Sequence, residues 1–401
     1  IIFIVLITSV LAGVNFIIDP YMLFQSKRIL GFNDKKPRAA NHSQLYKPYN
    51  IVTTNPQTII IGNSRPEMGI NPESTCWPAE KGVIYNLTFP GLGFYGQVRA
   101  MYHAVAIGSV KNILLAVDFE DFLYKRNRPK GMFWPKYNSD FLNRLLVDEE
   151  FKKNKTYKEN KLVEFSTSLF SLSTLNDSFF TLISQSKNSR NRTELGFNTA
   201  KDYQGIIKHE GAWVLFKQKK TMLKKKFSTK GLSIYDSEQW SVEFEALKRV
   251  IQLSNEKGVE LTIFINPYHY IYLESIHTAG YWNEFELFKR RLKDIVKKYG
   301  HGKVSLWDYA LYSPYTVTPE PIRNNKTKLK GWFWEPSHYK EELGDRMLSD
   351  IFSLTCSINQ YEPVGIKLNN VNIDEHLSNQ QNQRSILLAT LATEKSKEPR
   401  K

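Results

Sequence analysis

The chain has 401 residues, of which 55 are Lys or Arg and 40 are Asp or Glu, a formal charge of +15; 41% are hydrophobic and 13% aromatic. That length and apolar content exclude a wholly disordered chain and allow one large domain or two modest ones. Only Cys76 and Cys356 occur, which excludes a disulfide scaffold, an iron–sulfur protein and a four-cysteine zinc site.

The first 18 residues carry no charge and end at Asp19-Pro20-Tyr21. As a helix at ~1.5 Å per residue they extend about 27 Å, close to the thickness of a hydrocarbon core, so residues 1–18 read as a membrane anchor. No small-x-small cleavage site follows, which argues against a cleaved signal peptide. Residues 19–50 read as a juxtamembrane linker. Its Lys27, Arg28, Lys35, Lys36 and Arg38 favour a cytoplasmic C-terminal side under the positive-inside rule, so the anchor's orientation stays open at this point.

From about residue 51 strands and helices alternate. Thr58–Ile61 is an apolar run between Asn55-Pro56 and Gly62, hence a buried strand; Val83–Leu87 and Asn112–Val117 are two more, with a helix over 95–107 between them. Residues 237–256 follow helical spacing into the strand Glu260–Ile265. A helix with Phe285, Phe288, Leu292 and Ile295 on one face stops at Gly300 and leads to Val304–Trp307. Repeated strand–helix–strand units predict an α/β fold with a mostly parallel sheet covered on both faces, over residues 51–355.

Residues 125–230 lack this rhythm and hold 23 Lys or Arg against 10 Asp or Glu, so they carry 13 of the 15 net positive charges. No zinc-finger spacing, RNP-like motif or homeodomain pattern accompanies them, and they read as a solvated basic insertion with no nucleic-acid partner. Residues 356–401 are polar and read as a disordered tail.

Ligands of open parallel sheets bind where the strands end. The first strand ends in Gly62-Asn63-Ser64-Arg65, where Ser64 is either a nucleophile or a plain helix N-cap. After the second strand, Asn86-Leu-Thr-Phe-Pro-Gly91 offers a glycine amide to an oxyanion, although turn chemistry alone also accounts for it. The third stops at Asp118-Phe-Glu120-Asp121; no His stands at metal-site spacing, so no metal is expected. Asn266-Pro267-Tyr268-His269 closes the strand at 260–265 and is expected to face the site. Trp332-Phe-Trp334-Glu335-Pro-Ser337-His338 precedes an amphipathic helix, and its Glu335 and His338, three apart, suit a carboxylate that orients a general base.

Together these segments resemble the SGNH (GDSL-like) hydrolase superfamily, whose Gly-x-Ser turn, Asn-Leu-x-x-x-Gly segment and acid-x-x-His pair correspond to Gly62–Ser64, Asn86–Gly91 and Glu335–His338. The resemblance is closest to the membrane-anchored branch containing the alginate acetylation proteins and related polysaccharide O-acetyltransferases, which often show an Asp-Pro-Tyr segment after the anchor and a His-Tyr before a Gly-Asp helix. It covers roughly residues 50–122 and 235–355. It implies a flavodoxin-like sheet, a Ser64–His338–Glu335 triad, an oxyanion hole from the Ser64 and Gly91 amides, and no cofactor. Substrate contacts fall to Asn63, Arg65, Asp118, Asn266 and His269, with His269 as an alternative base. Trp332, Trp334, Phe94, Tyr268 and Tyr270 are candidates for a sugar-stacking rim.

The implied function is acyl-ester chemistry, by transfer or hydrolysis, on a cell-envelope or exported polysaccharide. The implied setting is a bacterial inner membrane with the domain on the periplasmic side, where a membrane-bound acyltransferase partner and a Cys76–Cys356 disulfide are both compatible. Two departures stand out: Glu335 replaces the usual Asp, and Asp118 stands where the family has an oxyanion Asn. An ionised carboxylate cannot donate to an oxyanion, so a second reading is an inactive, membrane-anchored relative that binds a polysaccharide or an acyltransferase.

Overall fold

The computed structural model describes residues 1–126, 139–236, 238–323, 331–354, 356 and 362–397. Helices α1 (Ile2–Ile18) and α2 (Ser43–Thr54) lead into β1 (Thr58–Gly62), α3 (Ser64–Gly69), β2 (Ile84–Thr88), α4 (Phe94–Val105), β3 (Asn112–Val117) and α5 (Phe119–Phe122). Then follow β4 (Tyr124–Lys125), α6 (Ser139–Asn143), α7 (Tyr157–Phe170), α8 (Leu172–Ile183), α9 (Lys201–Glu210), α10 (Ala212–Phe227) and β5 (Leu232–Ser233). The strand–helix rhythm resumes with α11 (Val242–Lys257), β6 (Glu260–Ile265), α12 (Tyr270–Thr278), α13 (Trp282–Tyr299) and β7 (Val304–Asp308). The chain ends through β8 (Phe333–Glu335), β9 (His338–Tyr339), α14 (Glu341–Phe352), β10 (Ile366–Lys367) and α15 (Ile373–Lys397).

The central sheet has the order β10-β7-β6-β3-β1-β2, and all its pairings are parallel except that of β10 with β7. The expected α/β class is therefore observed. Side chains alternate across a strand, so each apolar run serves two cores. Ile59, Ile61, Ile113, Leu115, Ile263 and Ile265 pack with Val98 and Met101 of α4, Leu247 of α11 and Phe288 of α13. Ile60, Leu114, Ala116 and Phe264 face the opposite way, onto Leu343, Met347 and Leu348 of α14. Burial on both faces is why these strands read as continuous hydrophobic runs.

The polar tail and the N-terminal run differ from expectation. The basic insertion is largely helical among its described residues, with α7 to α10, and part of it borders the sheet: the Asn86 amide donates to Leu195 O at 2.8 Å. Residues 127–138 of the insertion lie outside the described residues. The polar segment after 356 is ordered where described. His376 Nε2 lies 2.9 Å from Asp308 Oδ2, the Tyr312 amide donates to Gln380 Oε1 at 2.7 Å, and Arg384 pairs with Glu274 at 2.7 Å. Its polar side chains are partners of the domain, so composition alone misleads there. The uncharged N-terminal run forms α1, of 17 residues; among the described residues no helix is long and apolar enough to cross a membrane.

Candidate active site

Ser64 opens α3 directly after β1. Asn63 caps that turn, its Oδ1 accepting the Arg65 amide at 3.0 Å. Gly62 is required by close approach: a Cβ there would lie 2.6 Å from Pro66 Cγ and 2.9 Å from the Ala116 Cβ. Asn86 on β2 holds the far end of α3, its Nδ2 donating to Pro66 O and Ile70 O, each at 3.0 Å.

His338 arrives from β9, paired antiparallel with β8, which carries Glu335. The two halves meet where Gly344 of α14 lies against Gly69 of α3, so closely that a Cβ on Gly344 would sit 1.7 Å from Gly69 O. This contact sets α3 beside β9 and brings Ser64 Oγ to 2.8 Å from His338 Nε2. On the other side of the ring, His338 Nδ1 is hydrogen-bonded to Glu335 Oε1. Glu335 also accepts from the Ser337 amide at 2.9 Å and the Ser337 hydroxyl at 3.0 Å. The turn is pinned from behind by the His269 amide, which donates to Pro336 O at 3.1 Å. Burial opposes ionisation of Glu335, but the His338 ring, the Lys219 ammonium and the Ser337 amide outweigh it and hold the carboxyl down at about 2. A permanent carboxylate at Nδ1 keeps Nε2 free to accept a proton from Ser64. The longer side chain of Glu335 thus reaches the ring as an Asp is expected to.

The five residues expected to contact substrate are all buried and held by partners within the protein. Asp118 is buried and fully engaged: it accepts from Asn63 Nδ2 at 2.6 Å, Asn266 Nδ2 at 2.9 Å and Tyr268 OH at 2.7 Å, and pairs with Arg65 Nη1 at 3.2 Å. Arg65 also pairs with Glu120 at 2.6 Å, and its charge is stabilised well above the usual range by these acids despite burial. Asn266 Oδ1 accepts from Tyr339 OH at 3.2 Å. Asn63, Arg65, Asp118 and Asn266 therefore form a buried polar network that supports the Ser64 turn from below. His269 is buried as the N-cap of α12, with Nδ1 facing the Ile271 amide at 3.3 Å and Nε2 at 3.0 Å from Thr318 Oγ1. Both ring nitrogens are occupied, so His269 is a positioning residue and not an alternative base.

Gly91 lies in an exposed turn beyond β2 with φ +72°, next to the end of β1, to which the Phe89 amide is tied through Gly62 O at 2.9 Å. Of the aromatic candidates, Phe94, Tyr268 and Tyr270 are buried in the core, while Trp332 and Trp334 are half-buried. Asp118 and Glu120 pair with Arg65, Glu120 also with Lys226, and Asp121 accepts from Gln97 and Asn63; among the described residues no group of three His, Cys, Asp or Glu side chains is placed to hold a metal ion.

The insertion supplies site residues that sequence reading missed. Tyr203 of α9 lies with its ring 6.2 Å from that of His338, edge to face, and Lys219 Nζ of α10 stands 3.5 Å from Glu335 Oε1. Behind them, Glu67 of α3 is buried between Lys47 at 3.1 Å and Arg192 at 3.0 Å, tying the insertion to the helix that carries Ser64. Lys219 belongs to a lysine-rich run with nothing to single it out, and Glu67 was one acid in a short polar turn. Cys76 and Cys356 are joined, with Cα atoms 5.3 Å apart, bridging the segment after α3 to the segment after α14. No family model matches this chain, and no curated protein matches it.

Proposed function

We propose that this chain performs serine-dependent acyl-ester chemistry with Ser64 as nucleophile, His338 as general base and Glu335 as the orienting carboxylate. The observation that carries the reading is the continuous path from Ser64 Oγ through His338 to the ionised Glu335. His338 Nε2 takes the Ser64 proton as Oγ bonds to the acyl carbon, and the resulting imidazolium returns that proton to the departing alcohol oxygen. In the second half, His338 deprotonates an incoming hydroxyl, which attacks the acyl-serine, and Ser64 leaves with its proton restored. A sugar hydroxyl as acceptor gives transfer and water gives hydrolysis. The amides of Ser64 and Gly91 are the proposed oxyanion donors. Asp118, which stands where the SGNH pattern has an Asn, acts in this scheme through Asn63 and Arg65 and not on the oxyanion.

The same reading places the chain in the SGNH superfamily and its substrate among acylated polysaccharides. The half-buried Trp334, which shares Tyr203 with His338, suits a sugar face. The disulfide suits an oxidising compartment outside the cytoplasm. The test is turnover of an acetyl ester such as p-nitrophenyl acetate by the purified full chain: activity lost in Ser64→Ala supports the assignment, and equal activity in both proteins removes it.

A further inference from the structure

Helix α8 is inside out. Its Thr174, Ser178 and Thr181 are buried, Ser178 and Thr181 at 0% exposure, whereas Leu172, Phe179 and Ile183 are 73%, 57% and 83% exposed. A helix that folds in water turns its apolar stripe inward. The only charge on α8, Asp177, is taken up by Arg38 at 2.8 Å and by Tyr21 OH at 2.7 Å, so the outward face carries none. The end of α7 repeats the pattern, with Ser168 buried and Phe170 exposed.

Both ends of α8 are fixed to the place where α1 leaves the domain. At the start, Asn15 of α1 donates to Leu169 O at 2.9 Å and Ser171 O at 3.1 Å, and accepts from the Ser178 hydroxyl at 3.1 Å. At the far end, Gln185 exchanges hydrogen bonds of 3.0 and 3.1 Å with the Lys35 backbone. A second apolar tip sits at the same level. Asn33 donates to Ile17 O at 2.8 Å, and its Oδ1 receives the Ile29 amide at 2.7 Å, which holds the loop where Leu30 is 88% exposed. Asn15 and Ile17 differ by about 3 Å along the helix axis. Three separate segments thus expose large apolar side chains in one layer around an uncharged helix that is itself exposed from Ile1 to Ile7 on nearly every side.

From this we infer that α8 and the Leu30 loop form a lipid-facing collar that lies in the interfacial layer of a bilayer, with α1 entering the same leaflet. A protein partner covers one side of a helix. Apolar exposure on nearly every side of Ile1–Ile7, continued onto an inverted amphipathic helix, matches a solvent that is apolar in every direction. Asn15, Ser178 and Asp177 are turned inward and hydrogen-bonded, and the polar residues left exposed on α8, Ser173 and Asn176, are uncharged, as an interfacial layer tolerates. The collar fixes the height and tilt of the domain over the membrane. This inference is independent of the chemistry assigned to Ser64.

The test uses the full chain in vesicles of phosphatidylethanolamine and phosphatidylglycerol at about three to one, a composition that supplies an anionic surface. Leu30→Cys, Leu172→Cys and, as an aqueous control, Lys297→Cys on α13 are each labelled with bimane; the native cysteines are joined to each other and do not compete. Brominated acyl chains are expected to reduce the emission at positions 30 and 172 by roughly half and leave position 297 unchanged, as burial at the headgroup and acyl boundary requires. Full quenching of positions 30 and 172 by aqueous iodide overturns the inference. So does shielding from iodide without quenching by bromine, which would mean that a second copy or another protein covers the face.

Discussion

Ser64 Oγ and His338 Nε2, 274 residues apart in sequence, face each other at 2.8 Å. The contact depends on α3 and α14 packing through the bare backbones of Gly69 and Gly344, and the carboxylate behind His338 is ionised across the physiological range.

Replacing Glu335 with Gln keeps the size of the side chain but removes the charge that fixes the His338 tautomer. Ester turnover is expected to fall by about 10³–10⁴-fold while the melting temperature stays close to that of the parent. Steady-state kinetics with an acetyl ester, paired with a thermal scan, checks this. A loss of only a few-fold would show that His338 does not need its carboxylate.

Asp118→Ala leaves Arg65 with Glu120 alone and deprives Asn63, Asn266 and Tyr268 of their shared acceptor. Removing one partner of a buried pair typically costs about 3–5 kcal/mol. Urea unfolding is expected to show a loss of that size. A substrate-binding role without a structural one would instead raise KM at unchanged stability.

Asp121 is half-buried, and desolvation, then the neighbouring Asp118 and Glu120, push its carboxyl up to about 8. Between the ordinary carboxylate range and pH 8 the folded chain keeps a proton that the unfolded chain releases, so this group's contribution to stability falls as pH rises through that window and levels off above it. In Asp121→Asn, whose amide oxygen can still accept from Gln97 and Asn63, melting temperature is expected to vary less between pH 5 and pH 8.5, taken here as roughly the two ends of that window. The variant is also expected to be the more stable protein at the alkaline end. Parallel pH profiles for the two proteins would refute the assignment.

Cys76 and Cys356 close a loop with a sequence separation of 280. Reduction is expected to cost about 2–5 kcal/mol, since a cross-link over so long a loop restricts the unfolded chain strongly. Because the bond joins the segment after the Ser64 helix to the segment after α14, ester turnover should fall along with stability. Activity and urea midpoint measured with and without reductant on the same preparation report both effects.

The sheet was legible because its strands are buried on both faces: Thr58–Gly62, Asn112–Val117 and Glu260–Ile265 stand out as apolar runs bounded by Gly, Asn or Pro. Ser64, Glu335 and His338 were legible because each sits at a strand end with a recognisable local pattern. The polar residues around them are harder to read for one reason. Sequence shows that Asn63, Arg65, Asp118, Asn266 and His269 gather at the strand ends, but it does not show whether they point outward to a ligand or inward to one another, and most satisfy one another. The insertion was illegible for a different reason. Its helices α7 and α8 turn apolar residues outward, so the usual periodicity gives no core face, and Tyr203 and Lys219 reach the triad only through tertiary packing. The segment after 356 was judged by polarity alone, whereas His376, Gln380 and Arg384 are hydrogen-bonding partners of the domain.

The most direct measurement is covalent labelling of the folded full chain by a fluorophosphonate, with the modified residue mapped by mass spectrometry. An activated serine hydrogen-bonded to a histidine is predicted to be modified at Ser64, with labelling abolished in His338→Ala and slowed in Glu335→Gln. Absence of modification at Ser64, under conditions that label a control serine esterase completely, would contradict the account and leave the chain as a binding protein built on a hydrolase-like frame.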